Sequence, residues 1–161
     1  MILEIEDKNM LPISLQIIRN SFATVAEEFN LTEENCPGHT AFMKLDKLQN
    51  AFDAVNRMFL YYSGSVPVGF FSLKQIDSDT YELDHFAVLP EYRHNGIGKE
   101  LLNYAENAIK EQNGKTIKIG IIEENTTLKN WYIKNGFVHT GTKRFEHLPF
   151  TVGFMEKAIE L

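Results

Sequence analysis

The sequence is poor in cysteine, in chain-breaking residues and in positive charge. Its one cysteine, Cys36, has no partner for an internal disulfide, and a cysteine-rich metal site is excluded with it. Glycine and proline number only 10 and 5, too few for a collagen-like or low-complexity chain. No apolar run approaches the ~20 residues that span a bilayer. Met1–Asp7 carries no basic segment followed by an apolar one, so no signal peptide and no membrane attachment are expected. A reducing cytoplasm fits the lone thiol. Lys and Arg total 16 against 22 Asp and Glu, a formal net charge of −6. That deficit argues against a non-specific nucleic-acid binder, which neutralises phosphates with many cations. What is present is apolar bulk: 43% hydrophobic residues, with 12 Phe and 6 Tyr, in 161 residues. This suffices for the core of one domain over residues 1–161.

The pattern along the chain alternates in period. Ile2–Ile5 reads as a short strand. Pro12 stands where the first turn of a helix tolerates it, and Leu11, Leu15, Ile18, Phe22, Val25 and Phe29 follow at helical spacing. Asn30–Gly38 reads as a loop, and a second helix is expected near Thr40–Phe52. Met58–Ser63 and Val66–Gln75, parted by Gly64-Ser65, form a hairpin, and Tyr81–Leu89 is a third strand stopped by Pro90. A helix opens near Gly96-Ile97-Gly98 and closes before Gly114. Thr116–Ile122 is a buried strand. Asn125 caps a short helix that ends at Gly136. Phe137–Phe145 and Thr151–Ile159 close the chain. The order β-α-α-β-β-β-α-β-α-β-β predicts an α/β fold. The helix between Tyr81–Leu89 and Thr116–Ile122 makes that pair parallel, the other pairs are antiparallel, and helices cover both faces of the mixed sheet.

The segment Val88-Leu89-Pro90-Glu91-Tyr92-Arg93-His94-Asn95-Gly96-Ile97-Gly98-Lys99 carries the most chemistry. A strand ends, a short turn follows, and glycines open a helix. Unpaired N–H groups and the helix dipole make such a start an anion site suited to phosphate or pyrophosphate. Arg93, His94 and Lys99 add local positive charge. The loop lacks the Gly-Lys-Ser/Thr of a Walker A sequence, and Arg-x-x-Gly-x-Gly is not the dinucleotide Gly-x-Gly-x-x-Gly.

Arg93-x-x-Gly96-x-Gly98 after Ala87-Val88-Leu89-Pro90 resembles motif A of the GNAT N-acetyltransferase superfamily. Asn125 to Phe137, with Tyr132 and Gly136-Phe137 in place, resembles its motif B. Leu128 stands where alanine is usual. The resemblance implies a domain that takes acetyl-CoA as cosubstrate, without a metal, and passes the acetyl group to a primary amine by direct attack in a ternary complex. It places the pantetheine arm against the strand backbone of Phe86, Ala87 and Val88. The pyrophosphate falls on His94, Asn95, Gly96, Ile97, Gly98 and Lys99, with Arg93 beside them. Asn125 is either a contact for the coenzyme arm or only a helix cap.

Tyr132 matches the family's general acid, which protonates the departing thiolate. For the base, the strand offers Glu82, Asp84 and His85. Glu82 falls where several family members carry a catalytic glutamate. Strand alternation puts Glu82 and Asp84 on one face and His85 on the other, and two neighbouring carboxylates raise one pKa toward a useful range. Which of these groups, or a water, takes the proton stays open. The acceptor, a small-molecule or peptide amine, is expected between the first helices and the last hairpin, near Phe22, Glu27, Glu28, His39, His147 and Phe150, with a slight lean toward cationic amines. Cys36 is not expected to be a nucleophile, and the scattered histidines are not expected to hold a metal. The phenylalanine-rich final strands suit a homodimer seam. A second reading keeps the coenzyme but not the chemistry: an acyl-CoA-binding module acting as sensor or partner protein.

Overall fold

The computed structural model describes residues 1–160. One seven-stranded sheet runs through it in the order β1-β2-β3-β4-β5-β7-β6. The strands are β1 (Ile2–Glu4), β2 (Arg57–Ser63), β3 (Val66–Gln75), β4 (Thr80–Val88), β5 (Thr116–Ile122), β6 (Val138–Arg144) and β7 (Thr151–Ala158). Four α-helices accompany them: α1 (Leu11–Glu28), α2 (Leu45–Asp53), α3 (Ile97–Glu111) and α4 (Thr126–Lys134). All neighbouring strands are antiparallel except β4 and β5, which run parallel because α3 crosses between them.

Each face of the sheet has its own core. On one face, Leu101, Leu102, Ala105 and Ile109 of α3 and Tyr132 of α4 pack on Phe59, Phe71, Leu83, Ile117 and Ile119. On the other, Leu11, Ile17 and Ile18 of α1 and Leu48 of α2 pack on Met58, Leu60, Phe70 and Ala87. The buried face of α1 includes Ser14 and Ser21 as well as Leu11 and Ile18. These small residues let the helix approach the sheet closely. Ser14 satisfies itself by donating to the Met10 carbonyl at 2.7 Å. Phe22 and Val25 thereby fall to the flank of the helix, partly buried.

The helix expected over Thr40–Phe52 is in fact two elements. A 3₁₀ turn covers Thr40–Phe42, Met43 and Lys44 are extended, and only then does α2 begin. The break lets Met43 join the core beneath α1. No helix among the described residues is long and apolar enough to cross a membrane.

Leu101 is fully buried beneath the middle of the sheet. Leu101→Ala is expected to lower the unfolding free energy by about 2–5 kcal/mol in urea titration. A loss below about 1 kcal/mol would mean that α3 is not seated as described.

Candidate active site

Strands β4 and β5 pair at only three positions, Thr80–Thr116, Tyr81–Ile117 and Glu82–Lys118. Beyond Glu82 they part. β5 remains fully paired with β7 through Ile122, and β4 remains paired with β3. Between Leu83 and Val88 the edge of β4 therefore has no β5 partner; of its groups, the Val88 carbonyl is taken by Arg93 Nε at 3.1 Å. Buried N–H and C=O groups require partners, and an extended ligand lying in the gap supplies them. Phe86, Ala87 and Val88 all lie on this stretch.

A bulge shapes the same stretch. Ser72 pairs with Asp84 and Phe70 with Ala87, so three steps on β4 oppose two on β3. His85 takes up the extra residue with a φ of +52°, a left-handed conformation that histidine rarely adopts. The bulge corrects the simple alternation expected for this strand. Asp84 and Ala87 come to one face, and His85 feels both the Lys47 ammonium of α2 and the Glu82 carboxylate. Burial pushes the His85 pKa down to about 4, so its imidazole is neutral.

At the far end of β4, a 3₁₀ turn over Pro90–Tyr92 leads into the loop before α3. His94 and Gly96 have φ values of +65° and +83°, and Gly96 is the N-cap of α3 with no side chain to cap it. The first helical hydrogen bond runs from the Glu100 N–H to the Gly96 carbonyl at 3.1 Å. The N–H groups of Ile97, Gly98 and Lys99 precede it and have no intrahelical acceptor. Alternating backbone handedness ahead of a helix start is a concave anion cradle. A Cβ on Gly96 would meet nothing within 4 Å, so the space above it is open to a ligand. Asn95 folds the loop on itself through the Tyr92 and Arg93 carbonyls, each 3.2 Å from its Nδ2. The Lys99 ammonium reaches Asn135 Oδ1 at 2.7 Å, beside the cradle.

Arg93 is turned inward. Its Nε donates to the Val88 carbonyl at 3.1 Å, and its two terminal nitrogens donate to Thr24 Oγ1 at 3.0 Å and the Ser21 carbonyl at 2.8 Å. The guanidinium clamps the loop onto α1. Ser21 and Thr24, its partners, carry no signal in the sequence because they act from a distant element.

Gly98 joins three elements. A Cβ there would lie 3.3 Å from the Trp131 ring of α4 and 4.0 Å from Phe86 of β4. Tyr132 follows Trp131 and is 4% exposed, its ring 5.1 Å from Phe137 and 6.4 Å from Phe86. Burial alone raises the pKa of its phenol, which stays protonated at any ordinary pH. Asn125 caps α4 by accepting the Leu128 N–H at 3.2 Å, and its side chain also lines the neighbouring cleft.

Glu82 and Asp84 are brought together where β4 and β5 part. Burial, and then the hydrogen-bonding Glu82 carboxyl, push the Asp84 pKa up to about 8. Lys74 and Lys47 oppose the rise without cancelling it.

A cleft of about 690 Å³ opens beside β5. Phe22, His39, His147 and Phe150 line it, together with Gly120, Ile121 and Ile122 of β5. Glu27 and Glu28, expected there, are exposed on α1 and do not line it; Glu34 of the following loop does. Cys36 lies in its wall, and burial pushes that thiol's pKa up, away from the thiolate.

The sequence model of the Acetyltransferase (GNAT) family matches residues 22–137, which contain β2 to β5, the cradle and α4. The chain belongs to the GNAT family of acetyltransferases. By class it is an acyl-CoA-dependent N-acetyltransferase that uses acetyl-CoA. It is 24% identical over 160 residues to an uncharacterised N-acetyltransferase of Lactobacillus delbrueckii subsp. lactis, covering 94% of this chain and 89% of that one. Other curated relatives match over shorter stretches, the chain spanning 15% to 47% of their length. Among solved structures, the ribosomal-protein-S18-alanine N-acetyltransferase of Escherichia coli shares the fold at a TM-score of 0.77 and 16% identity, covering 100% of this chain and 96% of that one. The PaiA N-acetyltransferase of Thermoplasma acidophilum, in complex with coenzyme A, does so at 0.73 and 23% identity, covering 98% and 99%.

In this GNAT domain the partly buried Asp84 leaves a thermodynamic signature. Its ordinary pKa of 3.8 rises to about 8 on folding. Between those values the folded chain holds a proton that the unfolded chain has lost, so stability falls as pH rises through the window. Denaturation measured across that range is expected to show this slope in the wild type and a shallower one in Asp84→Asn. Equal slopes would mean that Asp84 is not the group that holds the proton.

Proposed function

We propose that the protein transfers the acetyl group of acetyl-CoA to a primary amine within one ternary complex. The observation that carries this reading is the order of parts along one gap. The anion cradle of His94 to Lys99 lies past the end of β4, and the Asp84–Glu82 pair lies where β4 and β5 part. A rise of ~3.3 Å per residue puts roughly 13 Å of strand edge without a β5 partner between Val88 and Asp84. A coenzyme with its pyrophosphate on the cradle N–H groups and its arm along Phe86, Ala87 and Val88 directs its thioester toward Asp84 and Tyr132. Asn125 faces the arm from the β5 side. Arg93 serves by holding the loop on α1.

The amine enters from the cleft beside β5. Asp84, acting with Glu82, accepts the ammonium proton directly or through a water and leaves a neutral nitrogen. Asp84 passes that proton to solvent and is again a carboxylate; the nitrogen then attacks the thioester carbonyl carbon, the C–N bond forms, the C–S bond breaks, and Asp84 takes up the second amine proton. The Tyr132 hydroxyl donates its proton to the departing sulfur. A phenol kept neutral by burial suits that role, and a carboxyl raised to about 8 is well matched to abstraction near neutral pH.

Tyr132→Phe is expected to lower kcat by about 10²-fold with acetyl-CoA affinity retained, as for loss of a general acid. The kcat/KM profile is expected to rise with pH to a plateau above about 8, the Asp84 value, and Asp84→Asn to remove that limb. Unchanged turnover in Tyr132→Phe takes Tyr132 out of the mechanism. A profile that ignores Asp84→Asn places the base elsewhere.

A further inference from the structure

The cleft beside β5 has a chemistry that narrows the acceptor. Its walls are mostly apolar, with Phe22, Val25, Ile122, Leu148 and Phe150 among the lining residues. Among the residues that line it, Glu34 brings the one carboxylate, and that residue is exposed at the rim. A polyamine or an aminoglycoside carries several ammonium groups, and each needs an anionic or strongly polar partner once water is stripped away. One rim carboxylate meets one ammonium. The acidic composition of the chain therefore does not extend into this cleft, and a polycation does not fit it.

Asn35, Thr40, Asn125 and His147 add neutral polar groups to the lining, and His39 is the one whose ring is fixed from several sides. The Ala41 N–H donates to His39 Nδ1 at 3.2 Å, so Nδ1 carries no proton and the neutral ring has its hydrogen on Nε2. Phe22 and Phe42 hold the ring from two sides, each 6.0 Å away and edge-on. Burial disfavours the imidazolium. His39 in this state cannot act as a base through Nδ1. It offers one donor, Nε2–H, in the wall of an apolar cleft, and a donor there is matched by a carbonyl oxygen.

We propose that the acceptor is a small monoamine carried on an apolar group, with a carbonyl oxygen that takes a hydrogen bond from His39 Nε2. The inference rests on the acetyltransferase reading and adds the class of substrate to it. His39 is a specificity-determining residue in this account, not a proton carrier.

The test is steady-state thiol release from acetyl-CoA with three amines: phenylalaninamide, 2-phenylethylamine, which lacks the carbonyl, and spermidine, which lacks the apolar group and adds charge. Wild type is expected to use phenylalaninamide best, by about 10-fold in kcat/KM over 2-phenylethylamine, as for one unmatched buried donor. His39→Asn keeps an oxygen to cap Ala41 but no longer reaches into the cleft. It is expected to level those two amines through KM rather than kcat. His39→Gln, whose amide nitrogen reaches the Nε2 position, is expected to restore part of the preference. A preference for spermidine, or a phenylalaninamide preference that survives His39→Asn, overturns the proposal, as does acetyl-CoA binding without turnover of either phenyl amine. Calorimetry with acetyl-CoA alone reads the underlying assignment separately: absence of binding there is a failure of the acetyltransferase reading, not of the acceptor class.

Discussion

The structure depends on a strand pair that stops. β4 and β5 hold together over three positions and then separate, and this short seam joins two otherwise complete sheets. A longer pairing would close the gap and bury the backbone that a coenzyme arm needs. A shorter one would leave the β1–β4 and β5–β7–β6 halves poorly joined. The His85 bulge follows just after the seam, where β4 takes up one extra residue against β3. A left-handed histidine costs on the order of 1 kcal/mol or more, and the core packed on both faces of β4 holds it in place.

Once the strands part, small residues govern the approach of everything else. Gly98 lets α3, Trp131 and Phe86 meet at one point, which seats Tyr132 next to β4. Ser21 gives its carbonyl to Arg93 from within the α1 interface. The loop that forms the anion cradle is thereby fixed at both ends, by Arg93 on α1 and by Gly98 against Trp131. Its N–H groups are oriented before any ligand arrives, and preorganised donors bind without the entropy cost of ordering them.

Much of this was legible from residue pattern. β3 and β5 fall on Val66–Gln75 and Thr116–Ile122 as the turn signals and the β-branched run imply. The cradle and α4 follow from the glycine and asparagine positions. Features set by long-range packing were not legible. The bulge carries no glycine to mark it, so alternation alone missed the extra residue at His85. The direction of Arg93 is decided by Ser21 and Thr24 on a remote helix, and the raised pKa of Asp84 chiefly by its burial in the packed fold. The apolar stripe on α1 was plain, but only the packed helix shows that Phe22 lines a cleft while Glu27 and Glu28 face solvent.

The central claim is that the gap and the cradle together hold acetyl-CoA. Calorimetric titration of the protein with acetyl-CoA, beside S-acetylpantetheine, tests it most directly, because the second ligand keeps the arm and thioester but lacks the pyrophosphate. The account predicts binding of acetyl-CoA in the micromolar range, with the pantetheine compound weaker by at least about 10-fold, as for loss of several charge-assisted hydrogen bonds. Equal affinity for the two would contradict the cradle, and no binding of either would contradict the gap as a coenzyme site.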